Sequence, residues 1–543
     1  MSRSVRVSFV LALCCVVFLT ASLGATATTQ AAVPVEPHIV ELYPNTSVPN
    51  DVGEYVTLSF PEPTTLTGWT LTDGETTTRL GDETVAGRVA FSRDPAVARE
   101  KVDDPVLELR DHFVLAQTGE TVQLRYEGRI VDQTTYERAP RAQRWLRTDD
   151  GWEWRPRGAT TFEARDLPAR SALAFVLPDS PGVPIETIRG ADERVLLAGY
   201  TFSSEPTAEE LRVAAERGIE VRVLVDGTPV GGQTTAEANA LDSLADAGIP
   251  VRVFDGPVTR YRFHHAKYAV VDDRVIVLTE NWKPAGTGGR ASRGWGVVVE
   301  SAPVADAVVA VFEADAGWED TVPWERYREG RERRFVEDDP ATGSYPSRFD
   351  PEPVEVDSVR LVTAPDNAER EIIALLEGAE ESIRIEQVAI HPDHAFLQAA
   401  IDAAERGVHV RILLDDSWYV ERENRALVER LESRAERDGL PIEARLVDSR
   451  GEFEKIHAKG VVVDDRRTLV GSVNWNDNSV RNNREVAVIL ESEAAAAYYA
   501  AVFDADWRGG RPSIPVGVGL AVAGAIGGAA FVGSRLIEFE AGD

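Results

Sequence analysis

The chain has 543 residues, a net charge of −32 and 43% hydrophobic residues, enough apolar material for the cores of about three or four domains. Both of its cysteines, Cys14 and Cys15, lie near the amino terminus, which excludes disulfides, a cysteine nucleophile and cysteine-ligated zinc from the rest of the chain. The strong negative charge disfavours nucleic-acid binding at ordinary salt, because phosphates are repelled. Lysine occurs only five times, and an acidic chain that avoids lysine is typical of a halophile; an acidic protein with basic partners is the alternative. In molar salt the Debye length falls to about 3 Å, so local charges then decide binding.

The amino terminus carries an export pattern. Residues 1–30 contain two early arginines, an apolar stretch and then small residues. This order predicts a secretory signal peptide, with an uncleaved membrane helix as the alternative.

Residues 34–142 are rich in short β-type runs separated by Pro, Gly, Asp and Asn. The spacing of these runs predicts a small all-β sandwich. The order IVELYPN, GEYVTLSF, LTGWTLTD and FVLAQTGETVQLRYEGRIVDQTTY resembles the lamin-tail-like domain, which implies an immunoglobulin-like fold. This resemblance implies a binding or spacer role and no chemistry.

The remainder of the chain contains an internal repeat. AAERGIEVRVLVDG (214–227) recurs as AAERGVHVRILLDD (403–416), each a helix end, a glycine and a valine-rich strand that ends in aspartate. Strands that alternate with helices predict an α/β fold with mixed sheets flanked by helices. We predict a first repeat over 170–320, a charged surface linker over 321–357 and a second repeat over 358–508.

Each repeat contains, after a further helix, a histidine–x–lysine (HxK) segment. HHAKYAVVDD (264–273) carries His265 and Lys267, and IHAKGVVVDD (456–465) carries His457 and Lys459. Residues two apart on a β-strand point to the same face, so each histidine and its lysine project together. An imidazole beside a fixed cation suits chemistry on a phosphate, because the cation neutralises oxygens while the imidazole reacts.

Five further residues belong to the predicted site. Asn281 and Asn474 follow the returning strands and offer amide donors to a bound phosphate. Ser472 either binds phosphate as well or packs the turn. Asp272 and Asp464 lie where tight turns are predicted, and a structural role is favoured for both.

The second segment, HAKGVVVDDRRTLVGSVN, fits the pattern H-x-K-x4-D-x6-G-S-x-N without a mismatch. The chain here resembles the phospholipase D superfamily, whose members carry two such segments on repeats related by a pseudo-twofold. The resemblance implies one shared site in a monomer, with a phosphodiester as substrate and no metal or cofactor. It also implies that His265 attacks phosphorus to form a phosphohistidine and that His457 protonates the leaving oxygen. Related nuclease-like members place a glutamate after the motif to hold the histidine, and Glu485 fits that position.

The first segment departs from the pattern, because TENW replaces GSVNW with one residue fewer. Thr279 and Glu280 stand where glycine and serine are expected, and no acid lies between Glu280 and Glu300. His265 is therefore expected to lack an orienting carboxylate. The favoured function is a phosphodiesterase acting on phospholipids; an extracellular nuclease and a non-catalytic binding protein with a degenerate first motif are the alternatives.

The carboxyl-terminal end carries a second membrane pattern. Residues 512–534 are uncharged over 23 residues, about the length of a spanning helix. They predict a transmembrane anchor, with a flexible glycine-rich tail as the alternative. Together with an export signal, this helix would hold the catalytic body at the outer surface of the cell.

Overall fold

The structure is a computed structural model that describes residues 36–48, 51–256, 258–331, 334–338, 340–449 and 451–509. The predicted signal peptide (1–30) and membrane anchor (512–534) lie outside the described residues. Within those ranges, no helix combines the length and the apolar character needed to span a membrane. The described residues up to Ala139, with Trp145–Glu153, form one compact unit, and Pro140–Arg144 with the described residues from Trp154 onwards form another.

The first unit consists of β-sheets, so the prediction of a β-rich amino-terminal region is confirmed. Its elements are β1 (His38–Tyr43), β2 (Tyr55–Thr65), β3 (Trp69–Thr72), β4 (Thr77–Arg79), β5 (Thr84–Ser92), α1 (Pro95–Ala98), β6 (Val106–Glu108), β7 (Glu120–Tyr126), β8 (Arg129–Tyr136), β9 (Gln143–Thr148) and β10 (Gly151–Pro156). Six strands form a sheet in the order β10-β9-β1-β2-β5-β6, and four form a sheet in the order β4-β3-β7-β8. Phe60 of the first sheet contacts Trp69 of the second edge-on at 6.4 Å. The larger sheet includes β9 and β10, so it extends beyond residue 142, the predicted end of this region.

The first repeat of the second unit is a mixed sheet flanked by helices. After β11 (Asp166–Leu167), its elements are β12 (Ser171–Leu177), α2 (Gly182–Arg189), β13 (Arg194–Gly199), α3 (Glu205–Glu216), β14 (Glu220–Asp226), α4 (Thr235–Asp246), β15 (Val251–Phe254), β16 (Tyr268–Val271), β17 (Arg274–Leu278), β18 (Ser292–Glu300) and α5 (Ala302–Ala316). β13, β14 and β15 are parallel, and β16, β17, β18 and β12 continue the sheet with antiparallel pairs.

The segment predicted as a surface linker, 321–357, is partly built into this sheet. It contributes β19 (Thr321–Pro323) and β20 (Glu352–Glu355), which extend the two edges of the sheet, and the short helix α6 (Trp324–Arg328). Trp324 is buried, stacks on Tyr327 at 5.6 Å and donates its indole N–H to Asp242. The expectation of a stretch draped over the surface is therefore wrong for residues 321–328, where one buried tryptophan outweighs the charged neighbours.

The second repeat has the same strand order as the first. Its elements are β21 (Ser358–Ala364), α7 (Ala368–Glu377), β22 (Ser382–Gln387), α8 (Ala395–Glu405), β23 (His409–Leu414), α9 (Glu421–Asp438), β24 (Ile442–Leu446), β25 (Lys455–Ile456), β26 (Lys459–Val463), β27 (Arg467–Gly471), α10 (Asp477–Arg481), β28 (Glu485–Glu491) and α11 (Glu493–Trp507). The order β21-β28-β27-β26-β22-β23-β24 matches β12-β18-β17-β16-β13-β14-β15 of the first repeat. The predicted α/β fold with two mixed sheets is confirmed.

The two repeats share one hydrophobic core. It contains buried residues of both sheets together with α5 and α11, among them Val308, Phe312, Tyr499 and Phe503. Each of these helices begins at a serine, Ser301 or Ser492, whose hydroxyl accepts a hydrogen bond from a backbone N–H of the first turn. The strands that face this core are apolar on both faces, as expected where layers cover both sides of a sheet.

Candidate active site

The motif aspartates anchor two hairpins. Asp272, between β16 and β17, adopts a left-handed φ of 54°, and Asp464, between β26 and β27, adopts 53°. The Asp272 carboxylate accepts three backbone N–H groups at the start of β13, and the Asp464 carboxylate accepts three at the start of β22. These contacts fix each hairpin, and with it the adjoining HxK segment, to the neighbouring strand.

The first motif is one residue shorter than the second, and the difference lies in the turn of the first hairpin, between β16 and β17. Val271 pairs with Arg274 across the first hairpin, whereas Val463 pairs with Arg467 across the second. Leu278, opposite Gly296, therefore occupies the position of Gly471, opposite Ala487. The expectation that Thr279 and Glu280 replace the motif glycine and serine is wrong.

Thr279 instead occupies the position of Ser472. The Ser472 hydroxyl accepts the backbone N–H of Val486, and the Thr279 hydroxyl accepts that of Trp295 at 2.9 Å. Ser472 is completely buried and also donates to the carbonyl of Val486. Of the two interpretations of Ser472, these contacts favour packing at the strand end.

Each HxK segment lies against a strand of the other repeat. β25 pairs in parallel with β18, and the His457 N–H donates to the carbonyl of Arg293 at 2.8 Å. In the mirrored contact, the His265 N–H donates to the carbonyl of Arg484 at 2.9 Å. This exchange brings together two segments that lie about 190 residues apart in the chain.

The two arginines of this exchange are buried in matching ion pairs. Arg293 pairs with Asp179 of its own repeat and Asp506 of the other. Arg484 pairs with Asp366 of its own repeat at 2.9 Å and Asp315 of the other at 2.9 Å. Sequence reasoning missed these arginines, since each looks like an ordinary charged residue at a strand start.

The histidines are held by carboxylates in a crossed pattern. His265 Nδ1 lies 2.8 Å from Glu485 of the second repeat, and His457 Nδ1 lies 3.2 Å from Glu280 of the first. The expectation that His265 lacks an orienting acid is therefore wrong, and Glu485 holds His265 rather than the histidine of its own motif. With Nδ1 engaged, Nε2 is the ring nitrogen of each histidine that remains for chemistry.

The two acids occupy different sequence positions in the two repeats. By strand register, Glu485 corresponds to Gly294. A Cβ atom at Gly294 would lie 2.2 Å from Cγ of Glu280. The glycine thus leaves the space that Glu280 fills, so the first repeat carries its carboxylate on the loop after β17 and the second carries it at the start of β28.

Gly294→Ala is accordingly expected to displace Glu280 and lower kcat for bis-p-nitrophenyl phosphate by about 10²-fold, because His457 loses its orienting carboxylate and releases the phosphohistidine more slowly. Steady-state kinetics on bis-p-nitrophenyl phosphate measure the loss. Gly190→Ala is the matched control, since its added Cβ would meet Arg274 only at 3.4 Å. Activity within about twofold of this control would show that Glu280 does not orient His457.

Glu485 is held by two residues that sequence reasoning missed. Its second oxygen accepts hydrogen bonds from Ser479 Oγ at 2.6 Å and Asn483 Nδ2 at 3.1 Å. Asn474, at the end of the motif, donates its backbone N–H to the same Ser479 hydroxyl. Ser479 and Asn483 lie six and two residues before Glu485, a local spacing that could have signalled them.

The ammonium group of each motif lysine donates a hydrogen bond to the backbone carbonyl of the histidine in the same motif. Lys459 Nζ donates to the carbonyl of His457 at 2.9 Å and lies 3.4 Å from the carbonyl of Thr279 in the other repeat. Lys267 Nζ donates to the carbonyl of His265 and lies 5.2 Å from the centre of the Tyr200 ring. Burial lowers the pKa of Lys459 to about 8 and that of Lys267 well below its usual value.

Burial also governs the protonation of the acid–histidine pairs. It lowers the pKa of His265 to about 4 and that of His457 to about 3, against the opposing pull of their glutamates. His265 in turn holds the pKa of Glu485 at about 2 in spite of burial, which alone would raise it. At neutral pH both imidazoles of the free site are neutral and the Glu485 carboxylate is ionised.

The motif asparagines are less tightly held than the acids. The side-chain oxygen of Asn281 is buried without a hydrogen-bond partner among the described residues. Asn281 also closes the glycine-rich loop that follows it, because its carbonyl accepts the N–H of Thr287. The N–H groups of that loop at Gly286 and Gly288 donate to the carbonyl of Lys283, so they are not directed at a ligand.

Comparisons with known proteins match this arrangement. The family described as "Cardiolipin synthase, PLD-like domain" matches residues 185–316 and again residues 372–507, once for each repeat. Each repeat is thus similar to a phospholipase D-like domain. The phospholipase D-like region is 25% identical over 329 residues to cardiolipin synthase B of Salmonella typhi, covering 56% of this chain and 72% of that protein.

Two solved structures resemble parts of the chain. Phosphatidylserine synthase of Haemophilus influenzae is 17% identical with a TM-score of 0.45, covering 60% of this chain and 84% of that chain. Nuc of Salmonella typhimurium, a phospholipase D family member, is 20% identical with a TM-score of 0.25, covering 30% of this chain and 98% of that chain.

Proposed function

We propose that the protein is a phosphodiesterase of phospholipase D type. The observation that carries the proposal is the crossed pairing of two histidines with two buried carboxylates, His265 with Glu485 and His457 with Glu280. Each carboxylate orients an imidazole whose Nε2 remains for chemistry, and the neighbouring lysines supply positive charge for phosphate oxygens.

The proposed reaction has two steps. Nε2 of His265 attacks phosphorus, and the bond to the leaving oxygen breaks as His457 gives that oxygen a proton. His457 then takes a proton from water, the water oxygen attacks phosphorus, and the phosphorus–nitrogen bond breaks to release the phosphomonoester. Lys267 and Lys459, with the amides of Asn281 and Asn474, neutralise the phosphate oxygens in both steps.

The substrate itself adjusts the protonation of the site. The low pKa values of His265 and His457 apply to the free site, where burial and the lysines act without a bound anion. A phosphodiester brings a negative charge between the two rings, which raises the pKa of an adjacent imidazole. His457 can then carry the proton that the leaving oxygen needs, while His265 stays neutral and nucleophilic.

A phospholipid is the favoured substrate. The matched relatives are named cardiolipin synthases, a name that gives a phospholipid as their product. The loop after β23 also exposes Trp418 by 89% and Tyr419 by 43%. Lys455, two residues before His457, lies 5.8 Å from the Tyr419 ring, so this aromatic pair is close to the second HxK segment. Exposed aromatic side chains at a site suit contact with a lipid surface.

An extracellular nuclease is the second candidate, because the same histidine pair can act on a nucleic-acid diester. A binding protein with a degenerate first motif is less well supported, since Thr279 and Glu280 make contacts that serve the site. Transfer to an alcohol in place of water would use the same phosphohistidine.

The proposed activity is tested with bis-p-nitrophenyl phosphate in high salt with EDTA. We expect hydrolysis at a rate that EDTA does not change, because the histidines and lysines supply the chemistry. Turnover that disappears with EDTA, or no turnover at all, would contradict the proposal. Phospholipid vesicles tested against supercoiled plasmid then separate a lipase from a nuclease.

We also propose that the protein is exported and anchored at the cell surface, with its catalytic body outside. This proposal rests on the sequences of residues 1–30 and 512–534 alone. Protease treatment of intact cells should remove the catalytic unit. Lysed cells treated in parallel show how much of the protein the protease degrades when access is complete.

A further inference from the structure

Lysines are concentrated at the candidate site. The chain has five, and the mechanism uses Lys267 and Lys459. Lys283 and Lys455 lie beside the same two motifs, and only Lys101 belongs to the first unit. In a chain of net charge −32 that otherwise uses arginine, two further lysines at the site call for a physical reason.

Lys283 lies on the loop that leaves the first motif. Its N–H donates to the carbonyl of Asn281 at 2.9 Å, and its own carbonyl accepts the N–H groups of Gly286 and Gly288. The backbone is thus fixed three residues after Glu280, the partner of His457. Among the described residues, its half-buried ammonium has neither a hydrogen bond nor an ion pair. Burial lowers the pKa of Lys283. Glu280 opposes this shift, the charge of Lys455 adds to it, and Asp338 and Glu237 also oppose it.

Lys455 reaches the same side of the site from the second repeat. It pairs in register with Ser292, whose N–H donates to the carbonyl of Ala285, two residues after Lys283. Its ammonium lies 5.8 Å from the Tyr419 ring and, within the part of the chain that is described, forms no ion pair. The backbones that carry Lys283 and Lys455 are therefore joined through Ser292 and Ala285, and among the described residues neither ammonium is paired with a carboxylate.

These charges break the symmetry of the two repeats. Lys283 follows Trp282, and the matching residue after Trp475 is Asn476, which caps α10 through its side chain. Lys455 stands two residues before His457, and the matching residue before His265 is Phe263. The reacting phosphate needs one lysine from each repeat, whereas these two lysines add positive charge on one side only.

We propose that Lys283 and Lys455 form a second anion subsite, which binds an additional phosphate group of the substrate next to the reacting phosphodiester. This inference rests on the proposed function, because the histidine pair must hold the first phosphate. The occupant is the second phosphate of a phospholipid headgroup. A lipid is favoured because Lys455 adjoins Tyr419 and the exposed Trp418, which supply apolar contact beside the charge.

The kinetic test compares two lipids in mixed micelles at equal surface concentration: cardiolipin, with two phosphates, and phosphatidylglycerol, with one. We expect the unmodified protein to prefer cardiolipin in kcat/KM by about tenfold. The double variant Lys283→Gln/Lys455→Gln should lose this preference and keep its activity on phosphatidylglycerol within about threefold. Lys101→Gln is the matched control and should leave the preference unchanged.

Three results would overturn the subsite. The preference could persist in the double variant, it could be absent from the unmodified protein, or both lipids could lose activity equally. The dinucleotides pTpT and TpT form a parallel arm. A lysine-dependent preference for pTpT without one for cardiolipin would assign the subsite to a nucleic-acid strand and overturn the lipid assignment.

A binding measurement separates failure of the subsite from failure of the catalytic proposal. Calorimetry on the His265→Ala protein, at the lowest salt that keeps it folded by circular dichroism, compares pyrophosphate with inorganic phosphate. We expect pyrophosphate to bind about tenfold more tightly and the lysine double variant to abolish the difference. If the His265→Ala protein bound pyrophosphate and phosphate equally, the subsite would be refuted, even if the unmodified protein hydrolysed diesters.

Discussion

Replacing either His265 or His457 by alanine is expected to lower kcat for bis-p-nitrophenyl phosphate by about 10³-fold or more, because His265 forms the bond to phosphorus and His457 activates the water that breaks it. The double variant should be about as active as the less active of the two single variants, because the two histidines act as one unit. His391→Ala is the control: His391 is exposed, lies outside both motifs and should leave the rate unchanged.

The two single variants should differ in their first turnover. Nitrophenol leaves without much help from an acid, so His457→Ala should release about one nitrophenol per chain in a burst and then stall as the phosphohistidine. His265→Ala has no nucleophile and should show no burst. Rapid-quench kinetics with acid-labile, base-stable phosphate incorporation measure this. A burst in His265→Ala and none in His457→Ala would show that His457 is the nucleophile and His265 the acid.

Arg484→Leu is expected to destabilise the second unit by about 3–5 kcal/mol, because it leaves two buried carboxylates without their partner. Arg484 is completely buried, and its guanidinium contacts Asp315 and Asp366 at 2.9 Å each. It also donates to the carbonyl of Ala364 at 2.9 Å. Urea denaturation at constant salt, followed by far-ultraviolet circular dichroism and by loss of activity, gives the change in the free energy of unfolding.

Arg481→Leu provides the comparison for this loss. Arg481 lies three residues earlier and pairs with Glu369 at the surface, where both side chains are substantially exposed. An exposed ion pair contributes about 0–1 kcal/mol, so this variant should unfold close to the parent. If the two arginine variants were equally stable, the buried cluster would not be what joins the repeats.

Much of the site could be predicted because its signals are local in sequence. His457 and Lys459 share a strand face by their spacing alone, and the repeat supplies the matching pair His265 and Lys267. The α/β character followed from strands that alternate with helices around the repeated AAERG segments. The turn positions of the motif aspartates followed from residue type, since Asp tolerates a left-handed backbone.

The crossed acids could not be predicted, because they depend on how one repeat meets the other. Sequence order places Glu485 with His457, yet its oxygen lies against His265. Glu280 was hidden for a different reason, since the shorter hairpin shifts the alignment by one residue and gives the acid the place of an expected serine. Only the structure shows that Gly294 lies beside Glu280 and, because it lacks a Cβ atom, leaves room for that side chain.

The exchange of backbone hydrogen bonds between His265 and Arg484, and between His457 and Arg293, has a consequence for how such a chain can evolve. Neither half can drift independently, since a change at one arginine strand alters the geometry of the opposite half's imidazole. Asymmetry is then tolerated only in side chains that do not carry the exchange, which is where Glu280, Lys283 and Lys455 are found.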